Sequence, residues 1–488
     1  GGGGGGSPKG QKGVGRGEGS RMRETGCDCT ACPAALHQSQ LERGVRIVAY
    51  WLVTFATLGM QYAFGPIFVM LLEALGGGRG VTALVGSLSV GIMDGLGGIF
   101  SGWVVLAIGA RRSGLLGAAL AALGWGLSAL VQESWQLLLS FSCLVGMGHS
   151  LGLYAAVMTI NRWFSRRLAL AHAAGTTGGA FAPFLCGLFA PALAGAVGWR
   201  MAMVVFSAVN GTILALAALM LTPPRLSTLE TFPETCAVTR CASDSEQGEQ
   251  MTQAQAHRAG LGNAGSEDAG LSELWKFSCL HRQLHLVAFS YFTFGLGCWI
   301  SVVHVVQLAL DQGIPETEAS RLTMYLSIGS LTMRVPFGLG ADAFGRSRSV
   351  AFASVCLCAI HFSAAFPITI SSPRFLVGYA LSVGGLNGGV LAILLTIPTE
   401  LDIPRRFVNI LSASLSSPLG MGMVAGPPIA SVMQERLGSY SPAMLFAASS
   451  FAVSALSLYY VMAFTPMLEL GKCRAAVCCH PAKSKVTA

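Results

Sequence analysis

Apolar stretches of about 20 residues, long enough to span a bilayer as a helix, recur along this chain and constrain its fold more than any other feature. They fall into two sets of six, separated by one long polar segment. The first set comprises 47–73, 81–108, 113–131, 135–160, 168–194 and 199–221. The second set comprises 284–310, 320–341, 349–370, 374–398, 406–433 and 440–464. Because a segment surrounded by lipid must satisfy its own backbone hydrogen bonds, we predict that each stretch is a transmembrane helix.

The fold class that follows is an all-α membrane protein with twelve transmembrane helices in two six-helix halves. Runs such as LLGAALAALGWGLSALV lack the period-two alternation of a membrane β-barrel strand. Only 11% of the residues are charged, against about 25% in a typical soluble domain. The basic residues occur in pairs between apolar runs, so nothing indicates a nucleic-acid partner. The expected surroundings are the lipid bilayer.

The domain organisation follows from the same pattern. We predict an N-terminal half over 47–221 and a C-terminal half over 284–464, joined by a polar linker over 222–283. Residues 1–46 are read as a disordered tail and residues 465–488 as a second tail. Arginines concentrate in alternate short loops, which places both termini and the linker in the cytoplasm. We expect a multi-pass protein of the plasma membrane.

An internal repeat supports the division into halves. SGWVVLAIGARRSG follows the second stretch, and FGLGADAFGRSRS follows the eighth. Gly102 and Gly338 occupy matching places in these two segments, whereas the acid Asp342 of the second copy is replaced by Leu106 in the first. Paired halves with corresponding signals are typical of transporters built from repeats.

These motifs resemble those of the major facilitator superfamily and, within it, the monocarboxylate transporter family. The segments NRWFSRRLALAHAAGTTGG (161–179), VVHVVQLALDQGIPETEAS (302–320) and AGPPIASVMQERLGSY (from Ala425) are similar to that family, and the resemblance covers about 46–465. It implies a secondary transporter that moves a small organic anion by alternating access.

The chain also departs from this family at informative positions. The usual opening before the first helix is replaced by LERGVRIVAYW. Proton-coupled members carry a lysine where this chain has Tyr62, and an aspartate where it has Ser330. The arginine of the eighth helix is retained as Arg334. The resemblance therefore implies a carboxylate-binding role for Arg334 but does not imply the proton coupling of lactate transport.

Arg334 is also singled out by its chemistry, because it lies deep in an apolar stretch. A guanidinium does not lose its proton, and a charge at the bilayer centre costs at least about 2.5–3.5 kcal/mol. It should therefore face a water-filled cavity, where it could hold a carboxylate, or form an ion pair with another helix. The further candidates for substrate binding are Tyr62, His304, Ser330 and Asn387, each of which could equally hydrogen-bond between helices.

Three residues are candidates for proton coupling. Asp94 lies in the middle of the second stretch, and His149 and His304 lie in the fourth and seventh. Histidine titrates near neutral pH, and a buried acid can hold a proton. The alternatives are a neutral or ion-paired Asp94 and hydrogen-bonded histidines of structural importance only.

The two arginine-containing turns suggest a gate. We predict that Asp342, Gly345, Arg346, Arg111 and Arg112 latch helices together on the cytoplasmic side in one state of the transport cycle. The alternative is that these turns serve only to orient the chain in the membrane.

No motif for catalysis, for a cofactor or for ATP hydrolysis occurs, and the cysteine cluster CDCTAC lacks the second pair of a zinc site. We therefore predict a transporter rather than an enzyme. Its expected partners are a small organic anion and, if one of the three candidate residues couples transport to it, the proton. An accessory subunit is not indicated either way. Two alternatives stay open: a transporter of neutral or aromatic solutes, and a non-transporting sensor with the same fold.

Overall fold

The computed structural model describes residue 1 and residues 31–62, 75, 79–223, 281–366, 372–401 and 403–464. Most of the linker predicted over 222–283 and all of the tail predicted over 465–488 lie outside these ranges. Cys27 and Cys29 of the CDCTAC cluster also lie outside them.

Twelve helices occupy the described ranges, one for each predicted stretch. Those of the N-terminal half are α1 (31–62), α2 (79–108), α3 (Ala110–Ser128), α4 (Leu138–Trp163), α5 (Leu168–Val197) and α6 (Trp199–Met220). Those of the C-terminal half are α7 (Arg282–Asp311), α8 (Glu316–Phe344), α9 (Arg346–Ala364), α10 (Pro373–Glu400), α11 (405–437) and α12 (Ser441–Phe464). Eight helices of the described chain are long and apolar enough to cross a membrane. The predicted fold class is confirmed.

The start of the first helix differs from the prediction. Helix α1 begins at Ala31, so residues 31–46 of the predicted disordered tail are helical. This segment contains charged and polar residues, including Glu42, Arg43 and Arg46. The apolar pattern marks only the part of the helix whose composition suits lipid. Polar residues before that part can continue the same helix.

In the described part of the N-terminal half, three helices contain π-helical segments: Phe55–Gly59 in α1, Gly91–Leu96 in α2 and Leu138–Val145 in α4. Such segments change the backbone hydrogen-bonding register and recur at functional sites. Side chains bond to carbonyl groups there. The Asn210 amide donates to the Ala56 carbonyl at 2.6 Å, and the Ser416 hydroxyl donates to the Asp94 carbonyl at 3.0 Å. The second contact joins α2 to α11, so an irregular part of the backbone lies where the halves meet.

The two glycines matched by the sequence repeat lie at the contacts between the halves. A Cβ atom on Gly102 of α2 would be 3.0 Å from the Ala413 Cβ atom of α11. A Cβ atom on Gly338 of α8 would be 2.5 Å from the Ala173 Cβ atom of α5. Helix α2 therefore packs on α11 as α8 packs on α5, and both contacts depend on residues small enough for close backbone approach.

The turns that follow α2 and α8 share one backbone conformation. Gly109 has φ +85° and ψ 154°, and Gly345 has φ +99° and ψ 141°. Glycine adopts this region readily, whereas L-residues with side chains are strained there. We call this end of the molecule the arginine-turn end. The N-terminus of α5 lies at this end too, since Asp342 at the end of α8 bonds to it.

We predict that Gly98→Ala destabilises the packing of α2 on α11. The added Cβ atom would lie 2.4 Å from the Ser416 hydroxyl and 2.7 Å from the Ala413 carbonyl oxygen, and such overpacking costs about 1–3 kcal/mol. The melting temperature of the purified protein should fall. Gly95→Ala is the matched control, because its Cβ atom meets nothing within 4 Å. Equal melting temperatures for the two variants would contradict this description of the interface.

Candidate functional site

Arg334 lies on α8 at the contact between the halves, and only 2% of its surface is exposed. Its Nη1 atom donates to the Thr176 carbonyl of α5 at 2.8 Å, and its Nε atom donates to the Ser330 hydroxyl at 3.3 Å. Thr176 belongs to the opposite half. The guanidinium therefore links the halves in this conformation, and Ser330, predicted to be near the substrate, is in contact with it.

A series of hydrogen-bonded polar side chains in the N-terminal half begins at Tyr50. The Tyr50 hydroxyl of α1, which lies within electrostatic range of Arg334, is 3.1 Å from Nδ1 of His172. The Nε2 atom of His172 is 2.9 Å from Oδ1 of Asn161. Tyr50 and His172 are fully buried. These three hydrogen-bonded residues were not predicted from the sequence, although each is a polar residue next to or within an apolar stretch.

Asp94 lies at the other contact between the halves, in the π-helical segment of α2, and is 8% exposed. Its carboxylate accepts a hydrogen bond from the Tyr154 hydroxyl of α4 at 3.3 Å. The Tyr154 hydroxyl also bonds to the hydroxyl of Ser416 on α11. Three helices from both halves thus meet at this acid, which has a hydroxyl partner in this arrangement.

His149 is held within the N-terminal half. Its Nδ1 atom lies 3.3 Å from Nε2 of Gln61, and its Nε2 atom lies 3.2 Å from Oδ1 of Asn210. Gln61 also donates to the hydroxyl of Ser89 at 2.7 Å. These contacts join α1, α2, α4 and α6. They are the contacts expected of a structural histidine, and the proton-coupling role of His149 stays a prediction.

His304 does not lie beside Arg334. It is seven residues before Asp311 at the end of α7, whereas Arg334 is eighteen residues after Glu316 at the start of α8. At 1.5 Å per residue the two are about 16 Å apart along the helices. Its ring nitrogens lie 3.2 Å from the Tyr440 hydroxyl and 3.1 Å from the Pro427 carbonyl oxygen. Both residues were predicted to bind substrate from their residue types, because the apolar stretches do not fix how deep each side chain lies in the membrane.

Asn387 and Tyr62, the remaining predicted substrate contacts, are placed differently. Asn387 of α10 donates to the Cys298 carbonyl at 3.4 Å, and its buried Oδ1 atom has no hydrogen-bond partner. The next residue, Gly388, packs directly on Ser330: a Cβ atom there would be 2.2 Å from the Ser330 hydroxyl. Asn387 therefore lies at the level of Arg334. Tyr62 is the last residue of α1 before an undescribed segment, and its side chain lies outside the described part of the structure.

The carboxylate of Asp342 caps a helix of the opposite half. Its two oxygens accept hydrogen bonds from the backbone N–H groups of Ala169 and Leu170, at 3.1 and 2.9 Å, in the first turn of α5. The first N–H groups of a helix lack partners inside the helix and carry partial positive charge, so a carboxylate there is stabilising. A guanidinium nitrogen of Arg346 lies 3.6 Å from Asp342.

Glu400, at the end of α10, completes this arrangement. Its carboxylate accepts hydrogen bonds from the backbone N–H groups of Arg346 at 2.6 Å and Ser347 at 3.0 Å, in the first turn of α9. The Arg346 guanidinium in turn bonds to the Thr396 carbonyl and the Thr399 hydroxyl. Sequence reasoning missed Glu400 because it lies far along the chain from the turn at Gly345.

Arg111 and Arg112 are exposed in the corresponding turn of the N-terminal half. They line a cavity of about 450 Å³ together with Arg162. The structure therefore places the five predicted gating residues in two different surroundings. Asp342, Gly345 and Arg346 lie among hydrogen bonds that reach α5 and α10, whereas Arg111 and Arg112 face a cavity.

This chain is similar in sequence to known membrane transporters. Residues 50–286 match the family model described as Major Facilitator Superfamily. The chain is 32% identical over 201 residues to monocarboxylate transporter 14 of Mus musculus, which covers 41% of this chain and 39% of that protein. It is 25% identical over 368 residues to monocarboxylate transporter 12 of Homo sapiens, covering 70% and 66%. The matches thus span less than two thirds of these relatives.

Solved structures show the same fold. A proton:xylose symporter, XylE, superposes with a TM-score of 0.67 at 15% identity, covering 88% of this chain and 97% of that chain. The human organic anion transporter MFSD10 superposes with a TM-score of 0.61 at 13% identity, covering 85% and 99%. At these identities the likeness concerns the fold alone. The family match over 50–286, the curated relatives and the twelve-helix architecture together support assignment of this chain to the Major Facilitator Superfamily and, within it, its similarity to the monocarboxylate transporters.

Proposed function

We propose that this protein is a secondary transporter of small organic anions, in the first place monocarboxylates. The observation that carries the proposal is the burial of Arg334 between the two halves, where its guanidinium bonds to a backbone carbonyl of the opposite half. The names of the curated relatives agree with it, since they are monocarboxylate transporters.

A carboxylate is a stronger partner for Arg334 than the carbonyl and hydroxyl groups that now contact it. The charged guanidinium already strengthens its present hydrogen bonds, but a carboxylate adds a full opposite charge and can accept two parallel bonds from the guanidinium. A substrate anion would therefore replace the Thr176 carbonyl as a partner. Because Thr176 and Arg334 belong to opposite halves, substrate binding would act directly on the contact that joins them.

The contacts between the halves at the arginine-turn end supply the gate. In the proposed orientation this end is cytoplasmic, and both termini lie on that side. The Asp342 cap on α5 and the close packing of α2 on α11 keep the halves together there. The conformation described is then one in which the cytoplasmic side is closed. Alternating access would break the Asp342 cap and separate these helices while a contact at the opposite end forms.

Asp94 is the acid that we propose for proton coupling. It lies in the contact between α2 and α11, and its partner Tyr154 also bonds to Ser416 of the opposite half. Movement of the halves would change its surroundings, so its proton affinity would depend on the state of the transporter. Protonation of Asp94 is thus coupled to the same rearrangement that moves the substrate. We propose the plasma membrane as its location.

Replacing Arg334 should abolish recognition of the carboxylate. We expect Arg334→Gln to raise the KM for a labelled monocarboxylate by about 10- to 100-fold, because a hydrogen bond to a charged group is worth about 1.5–3 kcal/mol. Uptake into proteoliposomes measures this. Arg321→Gln is the matched control, since Arg321 is an exposed arginine of the same helix. If neutral amides of the same acids are taken up as fast as the acids, the substrate is a neutral solute and the proposal is wrong. Binding without accumulation would indicate a sensor.

Removing the charge of Asp342 should loosen the first turn of α5. An N-terminal cap is worth about 0.5–2 kcal/mol, so Asp342→Asn should speed hydrogen exchange at Ala169 and Leu170 by about 2- to 30-fold. Mass spectrometry of peptides from this region measures the exchange. The control is Asp311→Asn at the end of α7, an exposed acid that accepts hydrogen bonds from the side-chain amides of Gln307 and Gln434. If hydrogen exchange at Ala169 and Leu170 is unchanged in Asp342→Asn, the proposed role of Asp342 in the gate is wrong.

The role of Asp94 can be tested by imposing a proton gradient. Asp94→Asn retains an oxygen that can accept the Tyr154 hydrogen bond but cannot carry a proton. We expect an inward proton gradient to stimulate uptake by the wild type and not by this variant, while exchange of labelled for unlabelled substrate continues. Glu133→Gln, an exposed acid between α3 and α4, is the control. Stimulation that survives in Asp94→Asn would exclude Asp94 as the coupling acid.

A further inference from the structure

The first turns of α3 and α9 have the same construction but different occupants. Each helix has 19 residues and begins directly after a glycine of positive φ, Gly109 or Gly345. In α9 the N–H groups of the first two residues bond to the carboxylate of Glu400. The equivalent N–H groups of α3 belong to Ala110 and Arg111. Among the described residues no side chain bonds to these two groups.

The end of α4 explains the difference. The segment TINRW of α4 corresponds to TIPTE of α10 when Thr159 is aligned with Thr396. Arg162 then takes the place of Thr399, and Trp163 takes the place of Glu400. The Trp163 ring is engaged elsewhere: its Nε1 atom donates to the Thr222 carbonyl at 2.8 Å, and the Arg46 guanidinium lies 5.1 Å from its ring centre. The N-terminal half thus lacks a carboxylate at this position.

A cavity takes the place of that carboxylate. Its volume is about 450 Å³. The lining contains three arginines and no acid among the described residues. The arginines are Arg111, Arg112 and Arg162, and the apolar wall includes Val105, Ile108 and Met158. Positive charge, a helix N-terminus and an apolar wall therefore converge on one space.

We propose that this cavity binds the headgroup of an anionic phospholipid. The lipid phosphate would take the position that the Glu400 carboxylate has in the other half, at the N–H groups of Ala110 and Arg111, with guanidinium groups beside it. Helix N-termini and arginines are the two protein groups best suited to phosphate. This assignment gives Arg111 and Arg112 a role in lipid binding, apart from the gate in which Asp342 and Arg346 take part.

The position of the cavity favours a lipid over a soluble anion. Ile108 lines the cavity and is 38% exposed, and the neighbouring side chains of Trp103 and Leu116 are exposed as well. In a membrane protein, exposed apolar side chains of this kind contact acyl chains. A lipid could thus place its headgroup in the cavity and its chains along α2 and α3. Anionic lipids are abundant in the cytoplasmic leaflet, the side to which the proposed orientation assigns this end.

Native mass spectrometry of the full chain with dioleoyl phosphatidylglycerol tests the proposal. We expect saturable binding to the wild type, and at least about tenfold weaker binding to the double variant Arg111→Gln/Arg112→Gln, because this variant loses the charge-assisted hydrogen bonds from its guanidinium groups to the lipid phosphate. Dioleoyl phosphatidylcholine should bind equally weakly to both proteins. The matched control is Arg166→Gln/Arg348→Gln, which removes the same charge from exposed arginines of the same end that do not line the cavity.

A second variant keeps the test decisive if the double variant does not fold. Arg162→Glu places a carboxylate in the cavity lining, as Glu400 does in the other half, and should also weaken phosphatidylglycerol binding by at least about tenfold. The proposal is overturned if the control variant loses as much lipid binding as the double variant. It is overturned equally if inorganic phosphate binds the wild type as tightly as the lipid does, because the site would then serve a soluble anion.

Discussion

A permanent positive charge buried between two halves of a membrane protein is the constraint on which this structure depends. Arg334 cannot lose its proton, so the opposite half must supply oxygen atoms for it, and the Thr176 carbonyl does so. That contact links the chemistry of the site to the position of the halves. Any anion that binds the guanidinium changes a bond across the interface, which is the physical basis for coupling binding to movement in the function proposed here.

At the arginine-turn end, the two contacts between the halves are stabilised by different interactions. At the contact between α8 and α5, Asp342 caps the first turn of α5. Glu400 accepts a hydrogen bond from the backbone N–H group of Arg346, and the Arg346 guanidinium lies next to Asp342. On the other side α2 and α11 rely on close approach of small residues and on serine hydroxyls that bond to carbonyls of a π-helical segment. The repeat therefore preserves the packing geometry but not the charges. In the described part of the N-terminal copy no carboxylate occupies the place of Glu400, and Arg111, Arg112 and the N-terminus of α3 line a cavity instead.

Much of the fold could be predicted from the sequence, whereas less of the site could. The apolar stretches predicted the helices, because a backbone surrounded by lipid must form its own hydrogen bonds. The internal repeat identified Gly102 and Gly338, which lie at the contacts between the halves. Arg334 was identifiable because its charge is costly in lipid. Glu400, Tyr50 and His172 were not, because their importance comes from partners distant in the chain. His304 was grouped with Arg334 on residue type, although the two lie at different depths.

By itself, the sequence determined the class of fold, the number of helices and the family, because apolar length and turn motifs are local properties of the chain. Only the tertiary structure decided which polar residues share a space. It paired Arg334 with α5, Asp94 with α4 and α11, and Asp342 with the first turn of α5. The physical reason is that hydrogen bonds and ion pairs act over a few ångströms in space, and the packing of helices sets these distances between residues far apart in the chain.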